Sequence, residues 1–299
     1  MTADNPSILS EALLLPARDG YPLGARLYHA PQPVAQLVIA GATGVPQGFY
    51  RRFAEHAARR GFSTLTLDYR GIGASKPTDL RGFEMDYLDW AHLDLAAAID
   101  QHRHTDRPLF VVGHSFGGHA FGLLPNHGEV SGFYTFGTGA GWHGWMPRTE
   151  QLRVLAMWRL VGPLITRWKG YLAWSALGMG EDLPLGVYQQ WKRWCSHPRY
   201  FFEDPQMPDL AERFAGVTTP IVAANALDDL WAPPPSRDAF MAAYTGAPYQ
   251  ALNIDSSAAG LGAIGHMGYF RPAAQALWDQ SLDWIVQLQG ERPGLSAAV

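Results

Sequence analysis

The stretch Leu109-Phe110-Val111-Val112-Gly113-His114-Ser115-Phe116-Gly117-Gly118-His119-Ala120-Phe121-Gly122-Leu123-Leu124 decides the reading of this chain. Leu109 to Val112 is a short apolar run of strand length, and Ser115 to Leu124 has helical spacing. Between them Gly113 to Gly117 fits Gly-x-Ser-x-Gly. A serine on a sharp strand-to-helix turn is held in a strained backbone conformation that lifts its hydroxyl clear of a sheet. The flanking glycines leave room where side chains would collide with the neighbouring strand and helix. The helix N-terminus adds N–H groups and positive potential toward a developing oxyanion. Ser115 is therefore the candidate nucleophile.

Upstream, the chain alternates strands and helices. Leu13 to Gly20 reads as a strand entering a turn, with Leu23 to Tyr28 as its hairpin partner. Gln36 to Ala40 is a buried-strand pattern closed by Gly41-Ala42-Thr43-Gly44, Phe49 to Arg60 a helix capped at Gly61, and Phe62 to Leu67 the next strand. Strand, loop, helix and strand at these lengths make a βαβ unit and predict a parallel sheet. The pattern continues with a helix over Tyr87 to His102 and a strand over Val130 to Phe136. Later strands are expected at Ile221 to Ala226 and Tyr249 to Ile254, and helices at Ser236 to Tyr244 and Ala274 to Leu288.

Between Gly141 and Pro205 the alternation fails. This stretch holds seven of the eleven tryptophans, with eight basic and five acidic residues in a chain of net charge −4. It reads as a helical lid over the sheet edge where α/β proteins bind ligands. The expected organisation is a first core segment 1–140, a lid 141–205 and a second core segment 206–299.

A serine nucleophile needs a base, and the base needs an acid that holds its tautomer. In this architecture they follow in the order serine, acid, histidine. Asp228 and Asp229 end the Ile221–Ala226 strand. Asp229, four residues before Pro233, is preferred, with Asp228 the alternative. His266, in the loop Gly265-His266-Met267-Gly268, is the candidate base, while His114 and His119 are expected to pack or line a pocket. The oxyanion donors are expected to be the N–H of Phe116 and, from the Gly41–Gly44 loop, that of Thr43, with Ala42 as the alternative.

Other chemistries find little support. One cysteine, Cys195, excludes an internal disulfide framework and a multi-cysteine zinc site. No histidine pair has metalloprotease spacing, and Gly71-Ile72-Gly73-Ala74-Ser75 lacks the rest of a phosphate-binding loop. No metal or cofactor is expected. The slight negative charge argues against a nucleic-acid binder. Arg51, Arg52, Arg59 and Arg60 read as a solvated helix face. No apolar run approaches the ~18 residues of a membrane span. Met1 to Pro6 shows no leader pattern, so a cytoplasmic protein is expected.

These pieces together resemble the α/β-hydrolase superfamily over nearly the whole chain outside the tryptophan-rich stretch. Asp68-Tyr69-Arg70-Gly71-Ile72-Gly73-Ala74-Ser75 is similar to the D-x-R-G-x-G-x-S segment of its esterase, monoacylglycerol-lipase and serine-aminopeptidase branch. Aligning the Gly-rich loop through Tyr50 to that branch places an oxyanion donor on Thr43. Ala42-Thr43-Gly44-Val45-Pro46-Gln47 and Gly265-His266-Met267-Gly268 are shared with a bacterial group of predicted α/β-hydrolases. The resemblance implies a mostly parallel sheet flanked by helices, with a helical lid after the nucleophile-bearing half. It implies a cofactor-independent serine hydrolase acting on a hydrophobic ester or related acyl substrate. Acyl transfer to a small acceptor and a non-catalytic binding protein of the same fold are the alternatives.

Overall fold

A computed structural model describes residues 7–290. The Met1–Pro6 stretch read for a leader lies outside the described residues, as does the end of the second core segment. Strands β1 (Ser10–Pro16) and β2 (Pro22–Tyr28) pair antiparallel, and β2 runs antiparallel to β4 (Phe62–Leu67). With β3 (Ala35–Ala40), β5 (Leu109–His114), β6 (Gly132–Phe136), β7 (Ile221–Ala226) and β8 (Tyr249–Ile254) they form one eight-stranded sheet. Its order is β1-β2-β4-β3-β5-β6-β7-β8, and every pair from β4 onward is parallel.

The parallel pairs follow from the helices between them. Helices α1 (Arg51–Arg59), α2 (Ala96–His102) and α3 (Phe116–Ala120) make the first crossovers. Between β6 and β7 come α4 (Arg148–Ala156), α5 (Gly162–Lys169), α6 (Leu185–Trp194) and α7 (Leu210–Ala215); α8 (Pro234–Met241) and α9 (Gln275–Gly290) follow. Both sheet faces are covered, so the central strands read as continuous apolar runs. In β3, Leu37 and Ile39 pack with Phe53, Trp278 and Leu282, while Val38 and Ala40 pack on the other face with Trp90, Phe116 and Phe121. Gly61 follows the Arg60 cap of α1 with φ +90°, the left-handed conformation that favours glycine.

Three helices differ from their expected form. The Tyr87–His102 segment contains a π-helical turn, Trp90–Leu95, before α2. That turn aims both Trp90 and Asp94 at Arg70. The helix after Ser115 ends at Ala120 and passes into a 3₁₀ turn, Phe121–Leu123, where a Cβ at Gly122 would strike the Phe214 ring. The helix expected from Ser236 begins at Pro234, since proline is well tolerated where no N–H donor is needed. Among the described residues no helix is long and apolar enough to cross a membrane.

Sheet order places the site. The chain turns one way after β3 and the other way after β5, leaving a crevice at their C-terminal ends. The Gly41–Pro46 loop, Ser115, the Asp228–Asp229 turn and the His266 loop all gather at that edge.

Candidate active site

Ser115 follows β5 with φ 52° and ψ −109°, a region that L-residues rarely occupy. Such a conformation persists only where surroundings hold it. The Ser115 N–H donates to the Phe136 carbonyl at 3.0 Å, and the Thr138 hydroxyl donates to the Ser115 carbonyl at 3.0 Å. A Cβ at Gly117 would strike the carbonyl of Ala40, so the elbow can close on β3 only with glycine there.

His266 Nε2 lies 3.0 Å from Ser115 Oγ. Its Nδ1 lies 3.0 Å from Asp229 Oδ2 and 3.1 Å from Oδ1. Asp229 is only 1% exposed. Its carboxylate accepts from the N–H groups of Trp231 and Ala232, both at 3.0 Å, and from the Tyr269 hydroxyl at 2.8 Å. Burial alone would raise its pKa. The facing His266 and these donors outweigh burial and hold the carboxyl below its usual range. Asp228 points elsewhere: its Oδ2 accepts from the Ile264 N–H at 2.8 Å and ties the turn to the loop that carries His266.

Around this line lie further partners, of which the sequence singled out only His114 and His119, as residues that pack or line a pocket. The Trp231 indole stacks on the His266 ring at 5.7 Å, and its Nε1–H donates to Glu150 of α4 at 3.0 Å. His114 is wholly buried between two loops. Its Nε2–H donates to the His266 carbonyl at 2.9 Å, and Nδ1 meets the Tyr50 hydroxyl at 3.0 Å. Burial first, then the nearby His266, push its pKa down to about 3, so the ring stays neutral. His119 lines the cavity beyond Ser115 and bonds the Gly139 carbonyl at 2.8 Å. The only sequence signals for these aromatic groups were their places beside the serine, acid and base.

The two loop candidates for an oxyanion donor differ. The Ala42 N–H donates to the Tyr50 hydroxyl at 2.7 Å. Among the described residues no protein acceptor meets the N–H of Thr43 or of Phe116. Thr43 is steadied by a hydrogen bond between its hydroxyl and that of Tyr87. Asp68 braces the same loop by accepting from the Gln47 N–H at 2.6 Å and the Ala74 N–H at 2.9 Å. The arginine cluster of α1 is structural in part, since Arg60 bridges Asp279 and Asp283 of α9.

Two cavities meet at Ser115 and His266. One, about 380 Å³, runs beneath α4 and is walled by Met146, Val154, Met157 and Trp158. The other, about 690 Å³, lies along the Thr43 loop beside Val45, Pro46, Phe49 and Met267. Trp174, Trp191 and Trp231 border both. The tryptophans of the 141–205 stretch therefore divide: Trp158, Trp174 and Trp191 face the site, Trp194 is core and Trp168 is exposed.

Sheet order, crossovers and the serine elbow are those of the α/β-hydrolase fold. Residues 31–176 match the family model described as serine aminopeptidase, S33. A soluble variant of monoglyceride lipase from Saccharomyces cerevisiae, solved with a substrate analog, is 14% identical with a TM-score of 0.67. That match covers 96% of this chain and 98% of the lipase. The α/β-hydrolase GrgF from a Penicillium species is 14% identical with a TM-score of 0.62, covering 93% and 98%. The esterase domain of a Rhodothermus marinus protein is 16% identical with a TM-score of 0.55, covering 93% and 99%. At these identities the likeness is one of fold. No curated protein matches the sequence.

Proposed function

We propose that this protein hydrolyses a hydrophobic carboxylic ester or related acyl substrate through an acyl-enzyme on Ser115, with residues 141–205 as a lid. The observation that carries this reading is the unbroken line from Ser115 Oγ through His266 to Asp229 at the meeting point of two apolar cavities.

In this mechanism His266 Nε2 takes the proton as Ser115 Oγ attacks the acyl carbonyl, and Asp229 stabilises the imidazolium. The carbonyl oxygen gathers charge toward the N–H groups of Phe116 and Thr43. Each such donor is worth about 3 kcal/mol in the transition state. The imidazolium returns its proton to the leaving oxygen, which departs. Water, deprotonated by His266, then attacks the acyl-enzyme and frees Ser115. A fluorophosphonate probe should label the folded protein once, at Ser115, and Ser115→Ala should abolish labelling. Unlabelled wild-type protein would remove the serine-nucleophile reading.

A further inference from the structure

Arg148 to Lys169 is one continuous helical run: α4, a π-helical turn (Met157–Val161) and α5. Its inner side roofs the smaller cavity with Val154 and Trp158. Its outer side is unusual. Leu152, Leu160, Leu164 and Trp168 are 70%, 60%, 61% and 76% exposed. Single exposed leucines are ordinary, but four large apolar groups along one helical run mark an interaction site.

Between them stand cations. Arg148, Arg153, Arg159 and Arg167 are exposed, and Lys169 Nζ lies 4.5 Å from the Trp168 ring centre. The run's one acid, Glu150, is buried and accepts from Trp231 and Arg153. Large apolar groups and cations thus share a face that exposes no acidic residue. A protein interior would reject the arginines, and water alone would leave the leucines and tryptophan hydrated. The boundary of an anionic bilayer satisfies both groups. Leucine and tryptophan enter the acyl region, while the basic heads reach lipid phosphates.

We propose that the outer face of Arg148–Lys169 docks on an anionic lipid surface, holding the protein peripherally with the smaller cavity just behind the contact. An acidic protein is the less fitting partner, because side chains this exposed stand on a ridge rather than in a groove. Docking does not rest on the hydrolytic reading.

The test is cosedimentation of the full chain with large vesicles of phosphatidylcholine alone, or of an equal phosphatidylcholine and phosphatidylglycerol mixture. The wild type should sediment with the mixed vesicles and stay in solution with the neutral ones. At 1 M salt, where the screening length falls to about 3 Å, binding should weaken strongly. Each basic residue near an anionic surface is worth about fivefold in partitioning, so Arg159→Glu with Arg167→Glu should lower it more than about twentyfold. Leu164→Ser with Trp168→Ser should lower it about tenfold or more. Circular dichroism should match the wild type in both double variants. Fluorophosphonate labelling of Ser115, read in parallel without lipid, reports the catalytic reading separately. Wild-type protein left in solution with mixed vesicles would overturn the proposal. So would both double variants binding like the wild type, or binding of polyglutamate without binding of vesicles.

Discussion

Asp228 and Asp229 are adjacent carboxylates with different surroundings. Asp229 is buried, bonded to His266 and fixed by three further donors, whereas Asp228 holds the Ile264 N–H. Asparagine at 229 would lose the charge that balances an imidazolium. Asp229→Asn should therefore cut kcat/KM on a soluble ester by about ten-thousandfold. Asparagine at 228 keeps an acceptor oxygen for Ile264, and the loss there should be about fivefold or less. The reverse ranking would assign the acid to Asp228. In the sequence the two were separated only by spacing to Pro233, because the bond that separates them physically comes from 36 residues downstream. Ser115 was legible for the opposite reason. Its strained backbone demands glycines within two residues, and these stand in the sequence beside it. Trp231 and Tyr269 leave no such mark, since an aromatic residue looks alike whether it packs in a core or braces another ring.

At the scale of elements, the π-helical turn Trp90–Leu95 has an identifiable cause. Arg70 leaves the end of β4 and inserts between Asp94 at 2.7 Å and Asp19 at 2.7 Å. Asp94 has no exposed side-chain surface, and Trp90 Nε1–H donates to the Arg70 carbonyl at 2.9 Å. Removing Asp94 leaves the buried Arg70 guanidinium with only the partly exposed Asp19 as counter-charge. Asp94→Ala should cost about 3–5 kcal/mol, read by denaturant unfolding. A change below about 1 kcal/mol would mean that the pair is solvated and does not hold the turn. Strands were legible from apolar runs because the sheet is covered on both faces. The π turn was not, because its cause lies 24 residues earlier and acts only after β4 and the helix dock.

For the whole molecule, neutral histidines set an acid limit on stability; His114 and His119 are buried and His102 is partly so. Burial lowers the pKa of His102, His114 and His119 from the ordinary 6.5 to about 4, 3 and 4. As pH falls below 6.5 the unfolded chain takes up protons at these rings and the folded chain does not. The unfolded state then gains, and stability declines toward pH 4 by about 1.4 kcal/mol per pH unit for each fully titrating histidine. Asp94 offsets one of the three. Burial raises its pKa to about 6, so the folded state takes up that proton first. Denaturant midpoints measured from about pH 6.5 down to about pH 4 should fall steadily, and a flat profile would refute this account.

The sheet order also sets when a site can exist during synthesis. Strand β5, which leads into Ser115, its neighbours β3 and β6, and β4 beyond β3 are all complete before residue 140. Asp229 and His266, the acid and base of the proposed mechanism, arrive only after β7 and β8, from the other end of the chain. A nascent chain can therefore present the serine hydroxyl with no partner to deprotonate it, and stays chemically quiet while its apolar surfaces are still exposed. In the proposed mechanism reactivity begins with the last crossover, so that a competent Ser115 would itself report that the sheet has closed to its final strand.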